Sequence, residues 1–137
     1  MTCRISPTAA LRIARPVRDL AVSERFWVDG VGMLVQCRIA PEAEGDHALS
    51  MVGLPGASWH LELVHDPEAA EANPPGPEDL LVLYLDGAVS DELVDRIVAA
   101  GGTAVEARNP YWNRWGVTIA DPDGCLLVLS LRGWSVD

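Results

Sequence analysis

The sequence predicts an α+β domain made of two tandem βαβββ modules. Strand-like and helix-like stretches follow one another in the same order twice. A Pro- and acid-rich segment divides the 137 residues almost in half. The turn motifs Leu54-Pro-Gly56 and Asp121-Pro-Asp-Gly124 fall at equivalent places in the two halves. The expected modules span about residues 9–66 and 79–132. A linker over 66–79 joins them within a single domain of residues 1–137.

In the first module, residues 10–14 alternate as a short strand. A helix is expected from 21 to about 29, with Val22, Arg25, Phe26 and Asp29 at helical spacing and Ser23 and Glu24 toward water. Gly30 and Gly32 end it. Strands are expected over 33–39, 47–52 and 59–64. In the second module residues 80–85 form an apolar strand run. Ser90 is the expected N-cap of a helix over 90–100, with Asp91 and Glu92 in its first turn and Gly101-Gly102 as its stop. Strands follow over 103–107, 115–120 and 126–131.

Charge narrows the function classes. Twenty acids stand against ten bases, all of them arginine, for a net charge of −10. Phosphate backbones and anionic membranes demand clustered positive charge, so neither nucleic acid nor a membrane is expected as a partner. The acidic surface reads either as a solvated coat or as a field that attracts cationic small molecules. Hydrophobic residues make up 49% of the chain, enough for a core without metal or disulfide. Cys3, Cys37 and Cys125 are unclustered, as in a reducing cytoplasm. No apolar run spans a membrane, and the first residues lack a signal peptide's apolar segment, so a cytoplasmic location is expected.

Several motifs together resemble one family. Ile13-Ala-Arg-Pro-Val-Arg-Asp-Leu20, Phe26-Trp27, Gly32-Met33, His60-Leu-Glu-Leu63, Ala99-Ala-Gly101, Asn109-Pro-Tyr-Trp112 and Asp121-Pro-Asp-Gly124 are similar to the vicinal oxygen chelate superfamily. That group includes glyoxalase I, bleomycin-resistance proteins, fosfomycin-resistance transferases and extradiol dioxygenases. The resemblance covers about residues 9–132. It implies sheets that curl into an open half-barrel cavity, a homodimer, and a ligand held in the concave space.

The resemblance also assigns four metal-ligand positions, which here are Arg12, Glu62, Leu80 and Val128. Leucine and valine carry no lone pair, and arginine repels a cation. His60 lies two residues from Glu62, so on a strand both project to one face. Together they offer at most a two-ligand fragment, where catalytic sites use three protein ligands. The other reading is a hydrogen bond between His60 and Glu62 or a ligand. No metal or other cofactor is therefore expected. Arg12 is expected to form a buried ion pair with Glu62 or to meet an anionic group of a ligand.

Residues 109–115, Asn-Pro-Tyr-Trp-Asn-Arg-Trp, are rich in groups that stack or donate: Asn109, Tyr111, Trp112, Arg114 and Trp115. The stretch reads either as cavity lining or as a hairpin whose aromatics plug the core or the dimer seam. Trp27 reads as core, and Trp134 lies in a tail. Arg15-Pro16 is expected to break the first strand at its rim, and His47 and His65 to be surface residues without partners. The expected ligand-binding set is Arg12, Trp59, His60, Glu62, Asn109, Tyr111, Trp112, Arg114 and Trp115, with no catalytic residue. The expected function is sequestration of an aromatic or cationic compound by a homodimer of bleomycin-resistance type. The alternative is a glyoxalase- or dioxygenase-like lyase or isomerase with a site remodelled around His60 and Glu62.

Overall fold

The computed structural model describes residues 4–135; Cys3 lies outside them. Each half folds as expected into four strands and a principal helix. In the first, β1 (Leu11–Val17), β2 (Leu34–Ile39), β3 (Leu49–Gly53) and β4 (Trp59–His65) form a sheet of order β1-β4-β3-β2. In the second, β5 (Leu80–Tyr84), β6 (Thr103–Val105), β7 (Gly116–Ala120) and β8 (Leu126–Ser130) form a sheet of order β5-β8-β7-β6. In both the first strand pairs with the last in parallel and the other pairs are antiparallel.

The first helix, α1 (Leu20–Arg25), is capped by the Asp19 carboxylate, which accepts from the Val22 amide at 3.1 Å. It runs on into a wider π-helical turn, Phe26–Val31, closed by Gly32 at φ +97°. The expected faces of this helix are wrong in part. Ser23 is fully buried and Val22 is 45% exposed, while Glu24 is half-buried and pairs with Arg38 at 2.7 Å. The buried stripe runs through Ser23, Phe26, Trp27 and Gly30 at helical spacing, so Ser23 rather than Val22 takes the inward place in the first turn. The helix packs on β3 and β4, where small Ser23 admits a close approach.

Helix α3 (Asp91–Ala99) has Ser90 as its cap, as expected. It packs on the π turn at Gly30, where an added Cβ would meet Ala100 Cβ at 3.1 Å and Ile97 Cα at 3.2 Å. The two modules thus share one core, including Phe26, Trp27, Leu61, Ile97, Ile119 and Leu127.

Two helices were not expected. Residues 66–79 are not all linker: α2 (Pro67–Ala72) opens on Asp66, whose carboxylate accepts from the Ala69 amide. Asp followed by Pro at the first helical position is a helix-start pattern. Residues 109–115 are not a hairpin but α4 (Pro110–Trp115), begun by Asn109 and Pro110 in the same way. Arg15-Pro16 does not break β1. The strand runs on to Val17 because it lies at the sheet edge, where a proline removes no ladder donor.

Strand alternation gives each sheet a core face and an open face. In β4 the side chains of Leu61 and Leu63 enter the core, so His60 and Glu62 point the other way. A bulge between Val35 and Cys37 re-aims the outer half of β2. Cys37 and Ile39 thereby join Met51 and Leu49, their cross-strand partners, on the open face. No helix among the described residues is long and apolar enough to cross a membrane.

Candidate functional site

The open face of the first sheet carries a polar cluster fixed by register. Arg12 lies opposite His60 on β4, and Glu62 is flanked by Ala14 and Met51. The Arg12 guanidinium donates to His60 Nε2 at 2.9 Å, lies 3.2 Å from Glu62 Oε2 and reaches Met51 Sδ at 3.6 Å. His60 thus accepts at Nε2, which leaves its other nitrogen as the donor. Glu62 is largely covered, at 15% exposure, and Arg12 is 49% exposed. The expected Arg12–Glu62 pair forms, but it is not buried, because the Arg12 guanidinium reaches out from an edge strand and stays half in solvent. Both lone-pair groups of the fragment thereby face a guanidinium. Among the described residues no third His, Cys, Asp or Glu converges on them. Leu80 and Val128 occupy the remaining two positions that the resemblance assigns to a metal. The side chains present do not fit that metal.

Beside Glu62 a cleft of about 480 Å³ opens beneath the loop between β2 and β3. Ile39, Leu49 and Val64 form its apolar floor, and Glu42, Asp46 and His47 stand at its edge. The Asp46 carboxylate accepts from the amides of Glu42 and Ala43 at 3.2 and 2.9 Å, which shapes the loop. His47 is not partnerless. Its Nδ1 lies 3.0 Å from the His65 carbonyl and its Nε2 3.5 Å from Asp66. Composition alone leaves these acids within an acidic surface that is either a solvated coat or a field for cations. Only the fold shows that they share a cleft with Glu62.

The second module is furnished differently. Ser130 shares a face with Val128 and Thr118, and its hydroxyl reaches the Trp115 carbonyl at 3.5 Å, so the end of α4 abuts β8 at the open face of the second sheet. There Thr118 and Val128 are fully buried. The Arg114 and Arg132 guanidiniums lie 5.0 and 4.8 Å from the Trp115 ring centre. Arg132 also donates to the Tyr111 hydroxyl at 3.4 Å. Tyr111 and Trp112 meet edge to face at 5.0 Å, and Tyr111 is exposed. Asn109 spends its side chain as the cap of α4, and Asn113 ties the helix to both backbone groups of Ala107. Trp115 is engaged by the protein's own arginines, whereas Tyr111 is exposed and Trp112 partly exposed beside it.

The fold therefore brings Arg12, His60 and Glu62 together, and separately Tyr111, Trp112, Arg114 and Trp115. Trp59 joins neither group. One residue before His60, it points to the opposite side of β4 and lines an apolar cavity of about 240 Å³ between the modules, with Trp27 and Leu81. The same seam holds Asp121 at its other end, beside Arg15 and Cys125. Burial pushes the Asp121 carboxyl up to about 6, against the pull of the Cys125 and Asp123 amides that donate to it. Burial, and then the Asp121 charge, push the Cys125 thiol up to about 12. Arg15 is consequently a seam residue rather than a surface one.

Known proteins place this geometry. The family model described as the YycE-like N-terminal domain matches residues 11–64, and that of the YycE-like C-terminal domain matches residues 78–130. The chain is 37% identical over 121 residues to YycE of Bacillus subtilis strain 168, covering 88% of this chain and 86% of that protein. A crystal structure of a Bacillus subtilis YycE protein superposes with TM-score 0.79 at 31% identity, over 95% of this chain and 93% of that one. Two proteins of Streptomyces sp. CB03234 share the fold. A glyoxalase/bleomycin resistance protein aligns with TM-score 0.56 and 28% identity, over 89% of this chain and 98% of that one. The antibiotic-binding protein TnmS3 aligns with TM-score 0.58 and 23% identity, over 93% of this chain and 98% of that one.

Proposed function

The chain belongs to the YycE-like family, within the vicinal oxygen chelate superfamily, and on that premise we propose that it binds a small aromatic or cationic molecule without transforming it. Binding takes place in a groove between two copies of the chain. The carrying observation is the Arg12–His60–Glu62 cluster, in which a guanidinium occupies a place that the superfamily resemblance assigns to a metal ligand. A second observation supports the two-copy groove. Within one chain the polar floor and the α4 aromatics lie on different sheets, so a pocket using both needs a partner's module. The names of two similar proteins, one an antibiotic-binding protein and one of bleomycin-resistance type, favour an antibiotic or related metabolite as ligand.

Tyr111 and Trp112 would stack on the aromatic part, each contact contributing about 0.5–2 kcal/mol when water is excluded. Glu62 with the cleft acids Glu42 and Asp46 would meet a positive group, and Arg12 a negative one. The protein would work in the cytoplasm with neither nucleic acid nor membrane as partner. Titration with ethidium, a planar aromatic cation, and with bleomycin tests the reading. The expected result is quenched tryptophan fluorescence, a raised melting temperature and one site per chain. A broad panel of such compounds that moves neither signal overturns it. Stoichiometric Ni, Zn, Mn or Fe in the purified protein, lost in Glu62→Ala, would replace it with the lyase or isomerase reading.

A further inference from the structure

The apolar cavity between the modules is a different space from the groove just proposed. Arg12, His60 and Glu62 leave β1 and β4 on one side, and this cavity lies on the other. Its walls are Ile13, Trp59 and Leu61 from the first sheet, Leu81 and Leu127 from the second, and Trp27 from the π turn. Among the described residues no ionisable side chain lines it. One polar atom on its wall residues stands out. The Trp27 indole nitrogen is buried and has no hydrogen-bond partner among the described residues. A tryptophan buried in a core ordinarily finds an acceptor for that N–H.

We infer that the cavity binds a small, uncharged, largely apolar molecule with a single hydrogen-bond acceptor, of the class of aromatic ketones, aldehydes and esters. The acceptor oxygen meets the Trp27 N–H and the hydrocarbon part fills the space between Trp59, Leu61, Leu81 and Leu127. Size agrees with this class. The cavity measures about 240 Å³, whereas apolar cavities of roughly 150 Å³ already take benzene. Charge agrees as well, because a carboxylate or ammonium group would enter without a counter-charge or donor set. Position gives the site a consequence. It sits where the two modules meet, so its occupant stiffens their junction without touching the polar cluster or α4.

The test uses two isosteric probes, acetophenone and α-methylstyrene, which differ by a carbonyl oxygen against a methylene group. Each is titrated into the full ¹⁵N-labelled chain, and the indole N–H signals of the five tryptophans are followed. Trp27→Phe assigns the Trp27 signal by its loss. Acetophenone is expected to saturate, moving Trp27 most and Trp59 next, and to bind about tenfold more tightly than α-methylstyrene. In Trp27→Phe the two probes should bind alike. Leu81→Trp, which fills the cavity, should abolish both titrations, while Glu62→Gln should change neither. The inference is overturned if acetophenone leaves the Trp27 signal unmoved, which would assign its N–H to the small void beside Asp121 instead. It is also overturned if the shifts concentrate on Trp112 and Trp115. Failure of ethidium to bind, by contrast, bears only on the groove.

Discussion

The two open sheet faces are built on one topology and carry opposite chemistry. On the first, strand positions hold Arg12, His60, Glu62 and Met51, and the face stays open. On the second, equivalent strands hold Leu80 and Val128, and an inserted helix, α4, packs beside β7 and β8 with its aromatics. The first module joins β2 to β3 with an acidic loop where the second joins β6 to β7 with α4. The duplication therefore fixes the frame, and the loop after each module's second strand fixes the chemistry. A groove that joins one face of each kind offers charge on one wall and stacking on the other.

The largest expected effect comes from the joint that seats α4. At Gly116 an added Cβ would collide with the Leu129 carbonyl oxygen. Gly116→Ala should cost about 3 kcal/mol in urea unfolding and should loosen α4. A comparable loss at Gly53, where an added Cβ would first meet the flexible Gln36 side chain, would erase the contrast between modules.

Asp121 comes next. Its folded-state value, about 6, lies above the ordinary 3.8. For an acid raised in this way, stability is full below about pH 4 and is lost as pH rises through about 6, by roughly 3 kcal/mol. Asp121→Asn keeps an acceptor for the Asp123 and Cys125 amides. It should therefore flatten the profile and stabilise the protein at pH 7–8, as read by urea unfolding at several pH values. The first module's Leu54-Pro-Gly56 turn has no such carboxylate and should contribute no step.

Arg12→Ala frees His60 and Glu62 but removes a half-exposed pair, so it should move stability by at most about 1 kcal/mol. It should strengthen binding of a cationic probe such as ethidium, which Trp112→Ala should weaken. Equal effects of both on affinity would remove the division of labour between the faces. The smallest effect is chemical. With Cys3 replaced by serine, Cys37 should react with a thiol reagent and leave Cys125 untouched until unfolding. Cys125 is buried and its thiol is pushed up to about 12, whereas Cys37 is exposed on the open face.

Sequence periodicity carried most of the frame. The repeated element order, the Ser90 cap and the two turn motifs were all legible, and strand spacing placed His60 with Glu62. The same alternation already separates Trp59 from His60, since neighbours on a strand face opposite ways. Both unexpected helices carried their signal too, in Asp66-Pro67 and Asn109-Pro110, masked by short length and by proline-rich or aromatic composition. Other features were beyond sequence. The packing of α1 on β3 and β4 turns Ser23 inward and Val22 outward, the bulge after Val35 turns Cys37 outward, and the folded loop brings Asp46 beside Glu62. Each depends on a register shift or a tertiary contact that no local pattern encodes.

The two-copy groove is tested most directly by mixing chains that are each broken on one wall. Glu62→Gln and Trp112→Ala should each weaken ethidium binding alone. Once the two are mixed and their subunits exchanged, every mixed dimer contains one groove with both native walls. The account predicts that ethidium sites of wild-type affinity reappear in the mixture. If no such sites return, while each variant alone is folded and dimeric, then the site lies within a single chain and the account is contradicted.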